Sequence, residues 1–160
     1  MSPSKDHERI KSCIGCLIEA YALEADLDLS PYGAWTLKSP LRKAGAEPDE
    51  SYILGSDQSK ETPDLVIEVV WTAGGLDKLE IYRCLGIGEV WLWQDGRIQI
   101  HVLRRGRYVR TGGSSVLPDL DVDLLASFLT RPTALQAVRA FRQALRSPSP
   151  SRRLRPVRTR

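Results

Sequence analysis

A run of apolar residues from Leu65 to Trp71, interrupted only by Glu68, sets narrow limits on the fold of this chain. Apolar residues in unbroken succession predict a strand that is covered on both faces, as at the centre of a sheet packed between helices. An ionised carboxylate in such a strand is costly unless a cation, a metal ion or a proton neutralises it. The sequence therefore predicts that Glu68 has such a partner nearby.

The length and composition of the chain favour one compact domain. Its 160 residues, of which 42% are hydrophobic, can form one core but leave little room for a second. No segment approaches the roughly 20 consecutive apolar residues of a membrane span, and the polar start lacks the apolar stretch of a signal peptide. We therefore expect a cytoplasmic protein with no membrane partner. The three cysteines support neither a disulfide framework nor a zinc site.

Positive charge is concentrated in the last fourteen residues. The whole chain carries a formal charge of +3, and residues 147–160 contain five arginines and no acid. This segment is rich in proline and poor in apolar residues, so we predict a single domain over residues 1–146 and a disordered basic tail over 147–160. Arg152, Arg153 and Arg155 are candidate contacts to nucleic-acid phosphates, although such tails also serve solubility or bind other partners.

Local sequence patterns predict an α/β (α+β) fold, with a mixed sheet flanked by helices. Helical periodicity and capping residues predict helices over residues 5–23, 76–85, 123–129 and 133–145. Alternation and turn residues predict strands over residues 46–54, 89–93, 97–102 and 107–110 in addition to the Glu68 strand.

Asp49 is the carboxylate best placed to share a cation with Glu68. If its strand pairs with the Glu68 strand, Asp49 lies about 5 Å from the Glu68 backbone. Asp64 lies four residues before Glu68 on the same strand, about 13 Å away, and is at most an accessory residue at the rim. The alternative for Asp49 is a turn residue that follows Pro48.

Lys78 is the candidate cation. It shares one helical stripe with Ile81, Tyr82 and Leu85, which predicts that it points toward the packed side of its helix. Its ammonium group can then neutralise Glu68 or act with it. The alternative is a lysine whose stem is buried while its head group stays in water.

Other aromatic and basic residues could also contact a nucleic acid. We expect the tryptophans in or beside strands to fill the core instead: Trp71, Trp91 and Trp93. The arginines on one face of the last helix could bind phosphates or form solvated surface: Arg139, Arg142 and Arg146. His7, between two acids, is interpreted as a helix-start residue.

An ordered set of motifs gives the chain a resemblance to a known family. The motifs are Glu47-Pro48-Asp49, Pro63 to Val69, Asp77 to Tyr82 and Gly86 to Leu92. Together they resemble the Uma-two family of restriction endonucleases, within the PD-(D/E)xK nuclease superfamily, over about residues 5–145. The resemblance implies a restriction-endonuclease-like mixed sheet and a phosphodiester hydrolase that depends on Mg²⁺ or Mn²⁺.

The resemblance also implies roles for individual residues. By position, Asp49 and Glu68 are the metal ligands, and together with Lys78 they form the catalytic set. The superfamily places its lysine two residues after the glutamate, where this chain has Val70, so Lys78 substitutes from the following helix. Glu8 matches the place of an additional acidic ligand, but an acid in the first turn of a helix also has a capping explanation.

The leading hypothesis is a Mg²⁺-dependent endonuclease that hydrolyses DNA. One alternative is a noncatalytic module that binds nucleic acid or protein, with Glu68 and Lys78 as a structural ion pair. Another is a phosphodiesterase that acts on RNA or branched DNA, because a fold does not fix a substrate. A homodimer would suit the cutting of both strands, but no stretch of sequence identifies an interface.

Overall fold

A computed structural model of the protein describes residues 4–71 and 75–147. The described residues form a six-stranded sheet, a separate two-stranded sheet and four α-helices. The helices are α1 (Lys5–Glu24), α2 (Gly75–Leu85), α3 (Val122–Ser127) and α4 (Ala134–Arg146). The strands are β1 (Leu29–Pro31), β2 (Leu37–Ser39), β3 (Ala44–Ala46), β4 (Glu50–Leu54), β5 (Leu65–Val69), β6 (Glu89–Gln94), β7 (Arg97–Arg104) and β8 (Arg107–Thr111).

The large sheet is mixed, with the order β1-β4-β5-β6-β7-β8. Strand β5 is antiparallel to β4 and parallel to β6, and α2 makes the crossover that a parallel pair requires. The hairpins on either side of β7 turn at Asp95-Gly96 and Arg105-Gly106, whose four residues all have positive φ. Such turns match the twist of the strands that they join. The architecture confirms the predicted mixed sheet flanked by helices and fits a restriction-endonuclease-like core.

Different helices cover the two faces of the sheet. Leu65, Ile67 and Val69 of β5 pack into the larger core together with side chains of α1, α3 and α4. Val66 packs on the opposite face, in a smaller core that includes side chains of α2 and β2. Because side chains alternate along a strand, Glu68 lies on the α2 side of the sheet.

The predicted strand over residues 46–54 is divided in two. Strand β3 ends at Ala46 and β4 begins at Glu50. Pro48, which lies between them, has no N–H to donate to a sheet. Strand β4 pairs antiparallel with β5, so that Glu50 lies opposite Ile67. The lateral pairing that was predicted to bring Asp49 beside Glu68 is therefore confirmed.

Two apolar side chains that were predicted to be buried are exposed. Ile81 of α2 is 38% exposed, because the helix buries Leu79 and Tyr82 and leaves Ile81 at the border of its packed side. Trp71 is 52% exposed, because it lies beyond the last residue of β5 and only part of its ring is covered. The core prediction holds for Trp91 and Trp93, which are both buried.

Apart from residue 147, the predicted basic tail lies outside the described residues. Arg152, Arg153 and Arg155 lie outside the described residues, so their role and the domain boundary at residue 146 stay predictions. Within the described ranges, no helix combines the length and the apolar character that a membrane span requires.

Glu24 joins the C-terminal ends of α1 and α4. Its carboxylate accepts a hydrogen bond from Arg142 Nε at 2.6 Å and two from Arg146, at 2.8 Å from Nε and 2.7 Å from Nη2. These bonds, first those from Arg146 and then that from Arg142, lower the pKa of Glu24 from 4.5 to about 2. Two of the three helix arginines considered as phosphate contacts are thus engaged in an ion-pair network.

The depressed pKa of Glu24 predicts a specific pH dependence of stability. A carboxylate with a lower pKa in the folded state stabilises the protein above pH 4.5 and loses that effect as the pH falls toward 2. We expect Glu24→Gln to lower the free energy of unfolding at pH 7 and the difference from wild type to vanish near pH 2. Urea unfolding of both proteins at several pH values measures it, with Glu61→Gln as the control. A difference independent of pH would contradict the prediction.

Candidate functional site

The candidate site lies at the edge of the sheet where β5 ends and β4 begins. Glu68 is the fourth of the five residues of β5, and Asp49 immediately precedes β4. The two strands are antiparallel neighbours, so the end of one meets the start of the other. Helix α2 covers the Glu68 face, and the first turn of α1 reaches the same edge through His7. Side chains of β5, α2 and α1, and of the residue before β4, therefore meet in one place.

The Glu68 carboxylate is buried and hydrogen bonded to α2. Its residue is 1% exposed. Lys78 Nζ donates to Glu68 Oε2 at 2.5 Å, and the Tyr82 hydroxyl donates to Oε1. Lys78 and Tyr82 are four residues apart, which places both on the side of α2 that faces β5. The predicted contact between Lys78 and Glu68 is thus present.

Burial and hydrogen bonding act on Glu68 in opposite directions. Burial raises its pKa above 4.5, while the hydrogen bonds from Lys78 and Tyr82 and the charge of Lys78 act to lower it. The negative charge of Asp49 adds to the increase. Burial and the adjacent Glu68 also raise the pKa of Tyr82, so that its hydroxyl stays protonated as a donor. A cation at this place relieves the repulsion between two carboxylates.

Asp49 is held at the end of β5 by a main-chain hydrogen bond. Its Oδ2 accepts from the Val69 N–H at 2.7 Å, one residue beyond Glu68. This bond fixes the carboxylate against β5. A residue that only formed a turn after Pro48 would not need such a contact. The second contact to Oδ2 comes from His7 Nε2 at 3.2 Å. Both contacts use the same oxygen and leave Oδ1 as the second acceptor of the carboxylate.

His7 is a site residue that the sequence interpretation missed. Its ring lies between Asp49 Oδ2 and Glu8 Oε1, at 3.2 Å and 3.3 Å. Ser4 caps α1 by accepting from the His7 N–H, and this fixes the first turn of the helix. The available signal was the adjacent Glu8, which the family resemblance already placed near the site. Nothing in the local sequence indicates that the start of α1 reaches Asp49.

The donor atoms of this site suit a hard divalent cation. Among the described residues, no group of three or more His, Cys, Asp or Glu side chains is arranged to hold a metal ion. Mg²⁺ sites in enzymes that act on phosphates commonly use only one or two carboxylates, together with waters and the substrate phosphate. Asp49 and Glu68 supply two carboxylates at one sheet edge, beside a half-exposed lysine. The residues present therefore fit Mg²⁺.

Comparison with protein families identifies where the chain belongs. The Uma2 family, described as "putative restriction endonuclease", matches residues 1–131. This chain belongs to the Uma2 family. The match contains every predicted site residue of the domain and ends before α4. No curated protein matches the chain.

The two accessory residues of this Uma2 protein have different places. Glu8 lies at the site, where it contacts His7 and forms an ion pair with Lys11 Nζ at 2.7 Å. Asp64 lies immediately before the first residue of β5, at the end of the strand away from Glu68. It accepts hydrogen bonds from the Leu54 N–H and Lys60 Nζ, both at 2.7 Å. Asp64 therefore fastens the connection between β4 and β5, away from Glu68.

Glu89 is a second buried carboxylate, which the sequence interpretation did not single out. It is 1% exposed and accepts hydrogen bonds from Trp91 Nε1 at 2.6 Å, Ser114 Oγ at 2.5 Å and the Ser115 N–H at 2.7 Å. These donors are neutral and anchor the loop after β8. Burial of a carboxylate alone thus does not define the site; the adjacent lysine and second carboxylate distinguish Glu68.

Proposed function

We propose that this Uma2 protein is a Mg²⁺-dependent endonuclease that hydrolyses DNA phosphodiester bonds. The observation that carries the proposal is the convergence of Asp49, Glu68 and Lys78 on one sheet edge. The family description supports nuclease activity, and the two carboxylates supply the oxygen ligands that Mg²⁺ prefers. Mn²⁺ is expected to substitute, because it accepts the same ligands.

Each residue has a role that follows from its contacts. When bound, Mg²⁺ supplies Lewis-acid polarisation of a phosphate and a more acidic water. Asp49 is oriented for binding by the Val69 N–H and His7, and Glu68 by Tyr82. These bonds fix the carboxylates before a substrate arrives, so that the two side chains lose less conformational freedom on binding.

Lys78 is suited to stabilise negative charge on the phosphate. Its side chain is 45% exposed although its ammonium group contacts the buried Glu68. An ammonium group has three N–H donors, and the contact with Glu68 uses one of them. The others can reach phosphate oxygens, where charge builds during the displacement. The contact with Glu68 holds the ammonium group at the site, where it can act on charge that develops on the phosphate.

One observation favours a noncatalytic module as the second candidate. Both Glu68 oxygens accept hydrogen bonds from protein donors, Lys78 and Tyr82, so the buried charge is neutralised without a metal. Such a pair can be purely structural. This candidate predicts nucleic-acid binding that is independent of metal and no cleavage. The same site chemistry would also serve RNA or branched DNA, and the test therefore includes these substrates.

Removal of metal is the decisive test of the proposal. We expect the full chain to cut DNA with Mg²⁺ or Mn²⁺ and to lose all cutting in EDTA, with recovery when excess Mg²⁺ is restored. Supercoiled plasmid, single-stranded DNA, branched DNA and RNA are assayed side by side. Glu80→Gln on the exposed side of α2 is the control variant. Cutting that persists in EDTA, or metal-independent binding without any cutting, would contradict the proposal.

A further inference from the structure

Trp71 exposes an aromatic ring beside the candidate site. More than half of its surface, 52%, is open to water. One part of the indole is anchored edge-on against the buried Trp93, with the ring centroids 5.4 Å apart and an interplanar angle of 62°. An aromatic ring held in this way exposes apolar surface without losing much conformational freedom on binding, since only two side-chain torsions have to be fixed.

The position of Trp71 along the chain places it within reach of a bound nucleotide. It follows Val69, whose N–H binds Asp49, by two residues, and Glu68 by three. At about 3.3 Å per residue, its α-carbon lies about 10 Å from that of Glu68. The two side chains lie on opposite faces of the sheet at this strand end: the indole packs with Trp93 on the α1 face, and Glu68 faces α2. Asp49 contacts His7 of α1 and the Val69 N–H at the same strand end, so a nucleotide whose phosphate lies at Asp49 can place its own base or a neighbouring base against the indole.

Among the residues that the structure describes, Tyr32 also has an exposed aromatic ring, but its contacts account for its position. Tyr32 is 41% exposed, but its hydroxyl donates to Gln58 Oε1 at 2.7 Å and its ring packs against Trp35 at 5.3 Å between centroids. Trp71 combines greater exposure with a position two residues beyond Val69, whose N–H binds Asp49. Unlike that of Tyr32, the exposed part of the Trp71 ring is free to contact a ligand at this strand end.

We propose that Trp71 is a stacking platform for an unpaired base next to the scissile phosphate. The proposal rests on the proposed function and narrows its substrate to DNA that is single-stranded or locally unpaired. Base faces inside a duplex are covered by neighbouring bases, so a protein ring can stack only on a base that has left the duplex or was never in it. The DNA strand then crosses the end of β5, with Lys78 in contact with the phosphate on the α2 face and Trp71 in contact with a base on the α1 face.

Binding without metal tests the platform separately from cleavage. The full chain is titrated in EDTA with a single-stranded oligonucleotide and with the matching blunt duplex. We expect Trp71→Ala to weaken single-strand binding roughly tenfold and to leave duplex binding nearly unchanged. Trp71→Phe retains an aromatic ring and should retain most of the affinity. Leu41→Ala, at a residue that is 98% exposed, is the control for loss of an exposed apolar side chain.

Tryptophan fluorescence provides a second, independent readout. Stacking of a base on an indole quenches its emission, so single-stranded DNA should quench the wild type and quench Trp71→Phe much less. Equal single-strand affinity of wild type and Trp71→Ala, an equal loss on both substrates, or no binding by the wild type would overturn the inference. Thermal unfolding checks that both variants are folded. Trp71→Phe is expected to be as stable as the wild type, because it keeps an aromatic ring against Trp93.

The two proposals fail in different ways. If the wild type cuts DNA but Trp71→Ala binds and cuts every substrate equally well, the platform is refuted and the nuclease stands. If single-strand binding depends on Trp71 but no metal supports cutting, the platform stands and the nuclease is refuted. RNA bound as tightly as DNA, with the same dependence on Trp71, would overturn the restriction to DNA.

Discussion

Glu68→Gln should reduce DNA cleavage roughly a thousandfold, the rate equivalent of about 4 kcal/mol. The amide has nearly the shape of the carboxylate but carries no charge. Its oxygen can still accept a hydrogen bond from Lys78, and its NH₂ group can donate to the Tyr82 hydroxyl oxygen. The local packing is therefore retained while the negative charge of the proposed metal ligand is lost. The initial rate of plasmid nicking at saturating Mg²⁺ measures the effect.

Stability separates this effect from damage to the fold. Because burial disfavours the ionised form of Glu68, the neutral glutamine should leave the free energy of unfolding within about 1 kcal/mol of wild type. Asp64→Asn, at the residue just before the same strand, is the matched control, since it removes a carboxylate that lies away from the site. Cleavage by Glu68→Gln at the wild-type rate would disprove the assignment of this residue as a ligand.

The sequence was sufficient to predict where side chains lie when their position depends on a single strand or helix. Glu68 stood out because an apolar strand makes a carboxylate anomalous, and Lys78 followed from the four-residue spacing to Tyr82 on α2. Asp49 required the further assumption that its strand pairs with that of Glu68, which β4 and β5 satisfy. These inferences rest on periodicity, which tertiary packing did not override.

The missed features depend on contacts between segments distant in the chain. His7 reaches Asp49 because α1 packs across the sheet, and no periodicity in α1 specifies where its first turn lies. Glu24 binds Arg142 and Arg146 across 118 and 122 residues. Trp71 continues an apolar pattern that predicts burial, yet the strand ends at Val69 and the pattern says nothing about where the sheet stops.

Replacing Lys78 by methionine should reduce cleavage about 10²- to 10³-fold, as expected when a donor to developing charge is removed. Methionine keeps most of the apolar stem and removes the ammonium group, with both its charge and its N–H donors. Arg83→Gln is the matched control, because Arg83 is on the same helix but forms an ion pair with the exposed Glu80. Lys78→Arg keeps the charge with different geometry and should recover part of the activity.

The pH dependence of stability in Lys78→Met distinguishes a catalytic lysine from a purely structural one. Without Lys78, the pKa of buried Glu68 should rise further, because its largest lowering influence is gone. A raised folded-state pKa favours folding at low pH, and the advantage is lost as the pH rises through that pKa. We therefore expect a loss of about 1 kcal/mol near pH 8 that is relieved toward pH 5, since half-exposed pairs contribute little. If this stability change occurs while cleavage is unaffected, Lys78 only neutralises Glu68. If cleavage falls at every pH, including pH 5 where stability is recovered, Lys78 takes part in the reaction.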